Sequence, residues 1–278
     1  MVNRLAGFAI ILFWCIAMSW LLWHDVAPAW TAQDPPKVVA ADWVRQYGHE
    51  AQFGIYNAQG RNVGTIWTTY NTGSTTDRRD HIYLHDFPIL GAAYIDIEST
   101  FGVEGMLDEI DIALLGGWGS IRIHGERYPS QFAFRVDVGA MNQVFKIDSA
   151  WAGIFSDMFR PFDTMPTLEV GQAWRMQVFN PFAAITGVGD KFIPMVVRVV
   201  GREVIEVDGQ ATDCLIVEAP NARAWVDRRS GVVVVQEVEL PIGGKYTVRY
   251  EPYDEDARLL AKQVFEDLPK KEVGGSAG

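Results

Sequence analysis

Along most of this chain apolar and polar residues alternate with a period of two, in short runs broken by turn residues. This pattern constrains the fold more than any other feature, because residues i, i+2 and i+4 of a strand share one face of a sheet. "QFGIYN" (52–57) and "NVGTIWTTY" (62–70) flank a short Gly-bearing loop and read as a hairpin. "DHIYLHDF" (80–87), "AAYIDIEST" (92–100), "MLDEIDIALL" (106–115), "SIRIHG" (120–125), "SQFAFRVDV" (130–138) and "QVFKID" (143–148) follow. Ile110, Ile112 and Leu114 fall on one face and Glu109 and Asp111 on the other, the mark of a sheet with one wet side. After residue 170 the pattern resumes with "AWRMQVFN" and "PMVVRVVGREVIEV", which meets Asp208-Gly209. Asp-Gly suits a type I′ turn, so "TDCLIVEA" is expected to pair back antiparallel. "RAWVD", "VVVVQEVEL" and "KYTVRYE" continue, with turns at Ser230-Gly231 and Gly243-Gly244. Connections this short cannot carry parallel crossovers. The expected fold is mainly β: a single curved antiparallel sheet or open barrel, packed by one or two helices and preceded by one N-terminal transmembrane helix.

Two stretches carry a helical period instead. In "SAWAGIFSDMFRPF", Trp151, Ile154, Phe155, Met158, Phe159 and Phe162 recur at steps of three and four, and Pro161 limits the helix end. A second helix is expected over about 254–266. It opens on Asp254, Glu255 and Asp256, where the helix dipole favours acids, and packs through Ala257, Leu260, Ala261 and Val264. These elements divide the chain into a membrane anchor (1–24), a Pro- and Ala-containing tether (25–44), a β-domain (45–267) and a flexible tail (268–278). The β-domain has two halves, about 45–148 and 168–252, joined by the aromatic helix.

Residues 5–23 contain no charge, and at ~1.5 Å per residue they match a hydrocarbon core of ~30 Å. Arg4 precedes them and Asp25 follows, a bias that leaves the N-terminus in the cytoplasm and the body outside it. The rival is a cleaved signal peptide, since Ala27-Pro28-Ala29 offers small residues, although the apolar run exceeds the usual h-region of ~7–15 residues. The first 33 residues carry only Arg4 and Asp25, so the net charge of −11 sits on the rest. Such a surface repels phosphate backbones, which argues against a nucleic-acid partner. Cys15 lies in the apolar segment and Cys214 in a strand-like run, so the body owes nothing to disulfides.

Motifs of catalysis are sparse. His81 and His85 sit four apart, a zinc spacing on a helix, but on a strand the pair is separated by ~13 Å. His49 and His124 have no acid-rich His/Cys company nearby in sequence. Glu109 and Asp111 share a strand face about 7 Å apart, within the range used by inverting glycosidases, or simply form a solvated acidic face. Gly274-Gly-Ser276-Ala-Gly278 matches the nucleophile-elbow string but lacks the strand and helix that such an elbow needs. No Walker loop, CxxC or HExxH occurs. No catalytic, cofactor-binding or metal-binding residues are assigned, and no enzyme activity is expected.

The strings "MPTLEVGQAWRMQV", "RVVGREVIEVDGQATDCLIVEA", "ARAWVDRRSGVVVVQEVEL" and "GIYNAQGRNVGTIWTT" carry a turn-and-strand grammar. Over roughly residues 50–252 this grammar resembles bacterial cell-envelope proteins of domain-of-unknown-function family 3108. The aromatic helix and the loop "NPFAAITGVGDKF" depart from that pattern. The resemblance implies an extracytoplasmic β-domain with a curved sheet like that of the Lol lipoprotein carriers; together with the anchor expected over residues 5–23, the expected place is the bacterial inner membrane, single-pass, with this domain in the periplasm. The resemblance carries over no functional residues. The expected function is a non-catalytic module that binds a lipid-like ligand or an envelope partner protein. Trp67, Tyr70, Trp151, Phe155, Phe159 and Trp174 are candidates to line an apolar cavity, since ligand sites are concave and largely apolar. The alternative is an accessory subunit with a filled interior; a hydrolase using surface carboxylates is a third reading.

Overall fold

The computed structural model describes residues 2–22, 40–73, 75–87, 91–102, 106–116, 119–139, 141–148, 159–162, 165, 168–179, 192–207, 209–240 and 244–266. Helix α1 (Val2–Leu21) leads the chain, and its side chains are described from Ile10 onward. Among the described residues no helix is long and apolar enough to cross a membrane. Of the span expected over residues 5–23, residues 5–21 lie in α1. Helix α2 (Ala40–Tyr47) begins inside the stretch that the sequence reads as tether, and it ends at Gly48, whose φ of 79° suits a helix C-terminus.

Fourteen strands follow: β1 (Glu50–Asn57), β2 (Asn62–Thr72), β3 (Thr76–Phe87), β4 (Gly91–Phe101), β5 (Leu107–Gly116), β6 (Gly119–Arg127), β7 (Gln131–Val138) and β8 (Met141–Asp148), then β9 (Ala173–Phe179), β10 (Phe192–Val207), β11 (Gln210–Ala219), β12 (Ala222–Asp227), β13 (Val233–Leu240) and β14 (Gly244–Glu251). Each corresponds to an alternating run in the sequence. All pair antiparallel in one curved 14-stranded sheet, in the order β8-β7-β6-β5-β4-β3-β2-β1-β14-β13-β12-β11-β10-β9. Two meanders, β1–β8 and β9–β14, are thus fused along the β1–β14 pair, where Phe53 faces Tyr250 and Ile55 faces Val248.

This order has a geometric consequence. The strands β8 and β9 are consecutive in the chain yet lie at opposite edges of the sheet. Laid flat, fourteen strands at about 4.8 Å would separate those edges by roughly 60 Å. The chain between Asp148 and Ala173 could cover about 80 Å only if nearly extended. Of this connection, the described residues 159–162 lie against the middle of the inner face of the sheet. Phe159 packs edge-on to Tyr246 of β14 at 6.2 Å, and the Phe162 backbone N–H donates to Gln236 Oε1 of β13 at 3.1 Å. The aromatic helix expected here falls mostly on residues 149–158, outside the described residues.

The core follows the two meanders. Inner-face residues of β1–β8, β13 and β14, including Phe53, Ile66, Ile82, Phe132 and Phe134, join Trp43 and Tyr47 of α2 in one cluster. A second cluster gathers Phe162, Met165 and Leu168 with Trp174, Val197, Val217 and Val226 from the other meander. Helix α3 (Glu255–Glu266) starts at Asp254, whose Oδ1 accepts from the Ala257 N–H at 3.0 Å as an N-cap. It packs through Ala261, which is 6% exposed, but Leu260 is 62% exposed rather than packed. Successive helical positions differ by about 100°, so a face centred on Ala257 and Ala261 turns Leu260 to solvent.

Candidate functional site

The register of β2, β3 and β4 builds a polar centre inside this apolar interior. Thr68 stands opposite Asp80, and Tyr70 opposite Arg78, across the β2–β3 pair. The alternation of a strand puts Thr68, Tyr70, Arg78 and Asp80 on the inner face, where the β8–β9 connection delivers Arg160. Arg160 Nη2 lies 2.7 Å from Asp80 Oδ1, and its Nη1 donates to Thr68 Oγ1 at 3.0 Å. Arg78 Nε is 2.7 Å from Asp80 Oδ2, and Thr68 Oγ1 donates to Asp80 Oδ1 at 2.5 Å. Aromatic rings wall the two cations: Arg160 lies 4.5 Å over Phe53, and Arg78 5.9 Å over Trp43. All of these groups are buried, and Arg160 is wholly so.

The electrostatics follow from that burial. Desolvation works against an ionised Asp80, but the charges of Arg78 and Arg160 and the Thr68 hydrogen bond outweigh it and hold the carboxyl below its ordinary value. Burial pushes the Tyr70 hydroxyl up to about 12 and raises Tyr47 further, against the lowering influence of the two arginines. Both tyrosines are thus neutral donors at ordinary pH. The Tyr47 hydroxyl accepts from the Val233 N–H at 2.9 Å, which ties α2 to β13. Trp43 stacks on Tyr70 with centroids 5.7 Å apart and meets Phe101 edge-on at 4.8 Å. The Tyr70 hydroxyl and the Trp43 Nε1–H have no hydrogen-bond partner among the described residues.

The sequence-predicted lining residues fall in different places. Tyr70 belongs to the polar centre, and Phe159 is buried against Tyr246 beside it. Trp174 belongs to the second cluster. Trp67 is three residues from Tyr70 on the same strand, hence on the opposite face. It stands opposite His81 of β3 and Gln52 of β1 on the outer face, where Gln52 Oε1 accepts from the Asp254 N–H at the start of α3. Trp151 and Phe155 lie outside the described residues. Arg160 was not found by sequence reasoning, because it sits inside an apolar stripe. A single charge between Phe159 and Phe162 and beside Pro161 is the signal that could have flagged it.

Two polar groups occupy the outer face. His81 Nδ1 contacts the Tyr94 hydroxyl at 2.6 Å and Asp96 Oδ1 at 3.2 Å, and Arg79 forks onto Asp96 at 3.1 and 2.7 Å. Burial opposes the charge of Asp96, yet hydrogen bonds from His81 and Arg79 hold its carboxyl well below the usual range. His85 lies on the same strand, with Nε2 2.9 Å from the Asn62 carbonyl, and shares no ligand position with His81. Farther along the sheet, His124 Nδ1 is 2.9 Å from Asp111 Oδ1 and 3.9 Å from Glu109 Oε1, because Asp111 and His124 are register partners on β5 and β6. The three side chains offer ligand atoms within 4.8 Å of one another, so they could hold a divalent cation, but all are at least partly exposed. Their register, invisible at a separation of thirteen residues, is what assembles them. An open groove of about 470 Å³ beside them is lined by His124, Glu126, Tyr128, Gln131, Arg135 and Lys146.

No family model matches the chain, and no curated protein matches it. Neither comparison therefore supports the resemblance to family 3108. Among solved structures, the chain is similar to the beta-barrel-like protein of domain of unknown function DUF1849 from Brucella abortus. The identity is 12%, the match covers 73% of this chain and 94% of that one, and the TM-score is 0.35. It is also similar to the hypothetical lipoprotein YmcC from Escherichia coli (K12), at 10% identity over 78% of this chain and 91% of that one, with a TM-score of 0.31. Likeness this low, in identity and in TM-score, informs neither the fold nor the function of this chain.

Proposed function

We propose that this chain is a non-catalytic, membrane-anchored envelope protein whose curved sheet binds an apolar, lipid-like ligand outside the cytoplasm. The observation that carries the reading is the inner face: a long apolar surface, rich in aromatic rings, interrupted by one buried polar centre at Arg78, Asp80 and Arg160. An amphiphile needs both parts, a surface for its chain and a fixed polar group for its head. The uncharged residues 5–23 between Arg4 and Asp25 support an anchor with the β-domain on the far side of the membrane. The full chain should bind an apolar fluorescent probe such as N-phenyl-1-naphthylamine saturably, and a long-chain acyl compound should displace it. Absence of saturable binding would oppose the reading.

A second reading is an interaction module with a filled interior. The complete burial of Arg160 and Phe162 and the near-complete burial of Phe159 favour it, since these side chains take up part of the inner face. Such a protein would bind neither probe nor acyl chain.

A further inference from the structure

The polar centre has a surplus of hydrogen-bond donors. Asp80 is its one described carboxylate, and its two oxygens already receive Thr68, Arg78 and Arg160. Beside it stand two further donors, the Tyr70 hydroxyl and the Trp43 indole N–H. Their residues are 3% and 6% exposed, and neither donor has a partner among the described residues. The two rings stack on each other, and Arg78, opposite Tyr70 in the β2–β3 register, reaches over the Trp43 ring. Native proteins satisfy nearly all buried polar groups. Two neighbouring donors left without an acceptor, next to a guanidinium, thus define the chemistry of whatever completes them: an oxygen-rich, acceptor-only group of negative charge.

We propose that the Trp43–Tyr70–Arg78 corner receives the anionic head of an amphiphile, a carboxylate or phosphate whose oxygens accept from Tyr70 and Trp43 while its chain follows the apolar inner face. This rests on the lipid-binding reading above and names the ligand class. Arg160 and Asp80 position Arg78 rather than touch the head. The corner lies on β2, β3 and the middle of α2, and the stacking of Trp43 on Tyr70 holds the two donors in place before the ligand arrives.

The full chain, held in peptidiscs to leave out detergent, is titrated calorimetrically with dodecanoate, dodecanol and acetate. These probes are the charged amphiphile, its neutral counterpart and the head without the chain. Dodecanoate should bind about tenfold or more tighter than dodecanol, the scale of one charge-assisted hydrogen bond. Acetate should bind far more weakly than dodecanoate. In Tyr70→Phe, and independently in Trp43→Phe should the first variant fold poorly, the preference for dodecanoate over dodecanol should fall several-fold. Equal affinity for dodecanoate and dodecanol, or a Tyr70→Phe chain that keeps the full preference, would overturn the head-group site and leave the lipid reading standing. Acetate binding as tightly as dodecanoate would reveal a site for free anions and overturn the amphiphile. Failure of both amphiphiles to bind would sink the lipid reading itself.

Discussion

Replacing Asp80 by Asn tests how far the interior depends on the carboxylate at its buried polar centre. Asp80 takes Arg160 at 2.7 Å, Arg78 at 2.7 Å and Thr68 at 2.5 Å, all away from solvent. The amide keeps the shape but removes the charge, so two buried guanidinium groups lose their shared counter-charge. Breaking a buried pair in this way typically costs about 3–5 kcal/mol, far more than the roughly 0–1 kcal/mol of a surface pair. For a domain of this size, with about 2–4 °C of Tm per kcal/mol, the midpoint should fall by roughly 6–20 °C. Urea unfolding followed by tryptophan fluorescence gives the difference directly. The pH dependence supplies a second handle. The folded-state pKa of Asp80 is depressed, so its contribution is fully present above the unfolded value of about 3.9 and is lost as pH falls through the lower folded value. The gap between the native chain and Asp80→Asn should therefore be constant near neutrality and shrink below about pH 4. A loss under about 1 kcal/mol, or a gap that ignores acid, would refute the account of the polar centre.

Other substitutions probe the scaffold. A Cβ at Gly64 would lie 2.5 Å from the Tyr83 carbonyl oxygen, a backbone atom, so Gly64→Ala should cost about 1–3 kcal/mol in the same urea assay. Tyr47→Phe takes away the acceptor of the buried Val233 N–H and should cost about 1–3 kcal/mol while leaving the far-UV spectrum unchanged. Cys214 is fully buried and its thiol is pushed up to about 11, mainly by burial. In a Cys15→Ser chain, maleimide at neutral pH should therefore label it only after denaturation, and rapid labelling of the folded chain would contradict the packing of β11.

The strands were legible because each is a local, period-two run bounded by its own turn residues. Glu109 and Asp111 alternating with Ile110 and Ile112 sufficed to place β5 and its wet face. The pairing of β1 with β14 was not legible, since nothing local specifies a contact across most of the chain. With it went the knowledge that residues 159–162 lie against the middle of the inner face. Arg160 was hidden for that reason: as part of a stripe it reads as an exception, and only the strand order gives it a partner in Asp80. The opposite faces of Trp67 and Tyr70 were in the sequence all along, because three residues on a strand is an odd step. The outward turn of Leu260 needed the actual phase of α3 against the sheet. His124 and Asp111 meet through the register of the β5–β6 hairpin.

The central claim is that the inner face carries an acyl chain. The direct measurement uses residues 34–278, exported, purified without detergent, extracted with organic solvent and examined by mass spectrometry for lipid. The account predicts near-stoichiometric acyl lipid with an anionic head. A stable, monodisperse protein free of lipid would contradict it and leave the filled interaction module in its place.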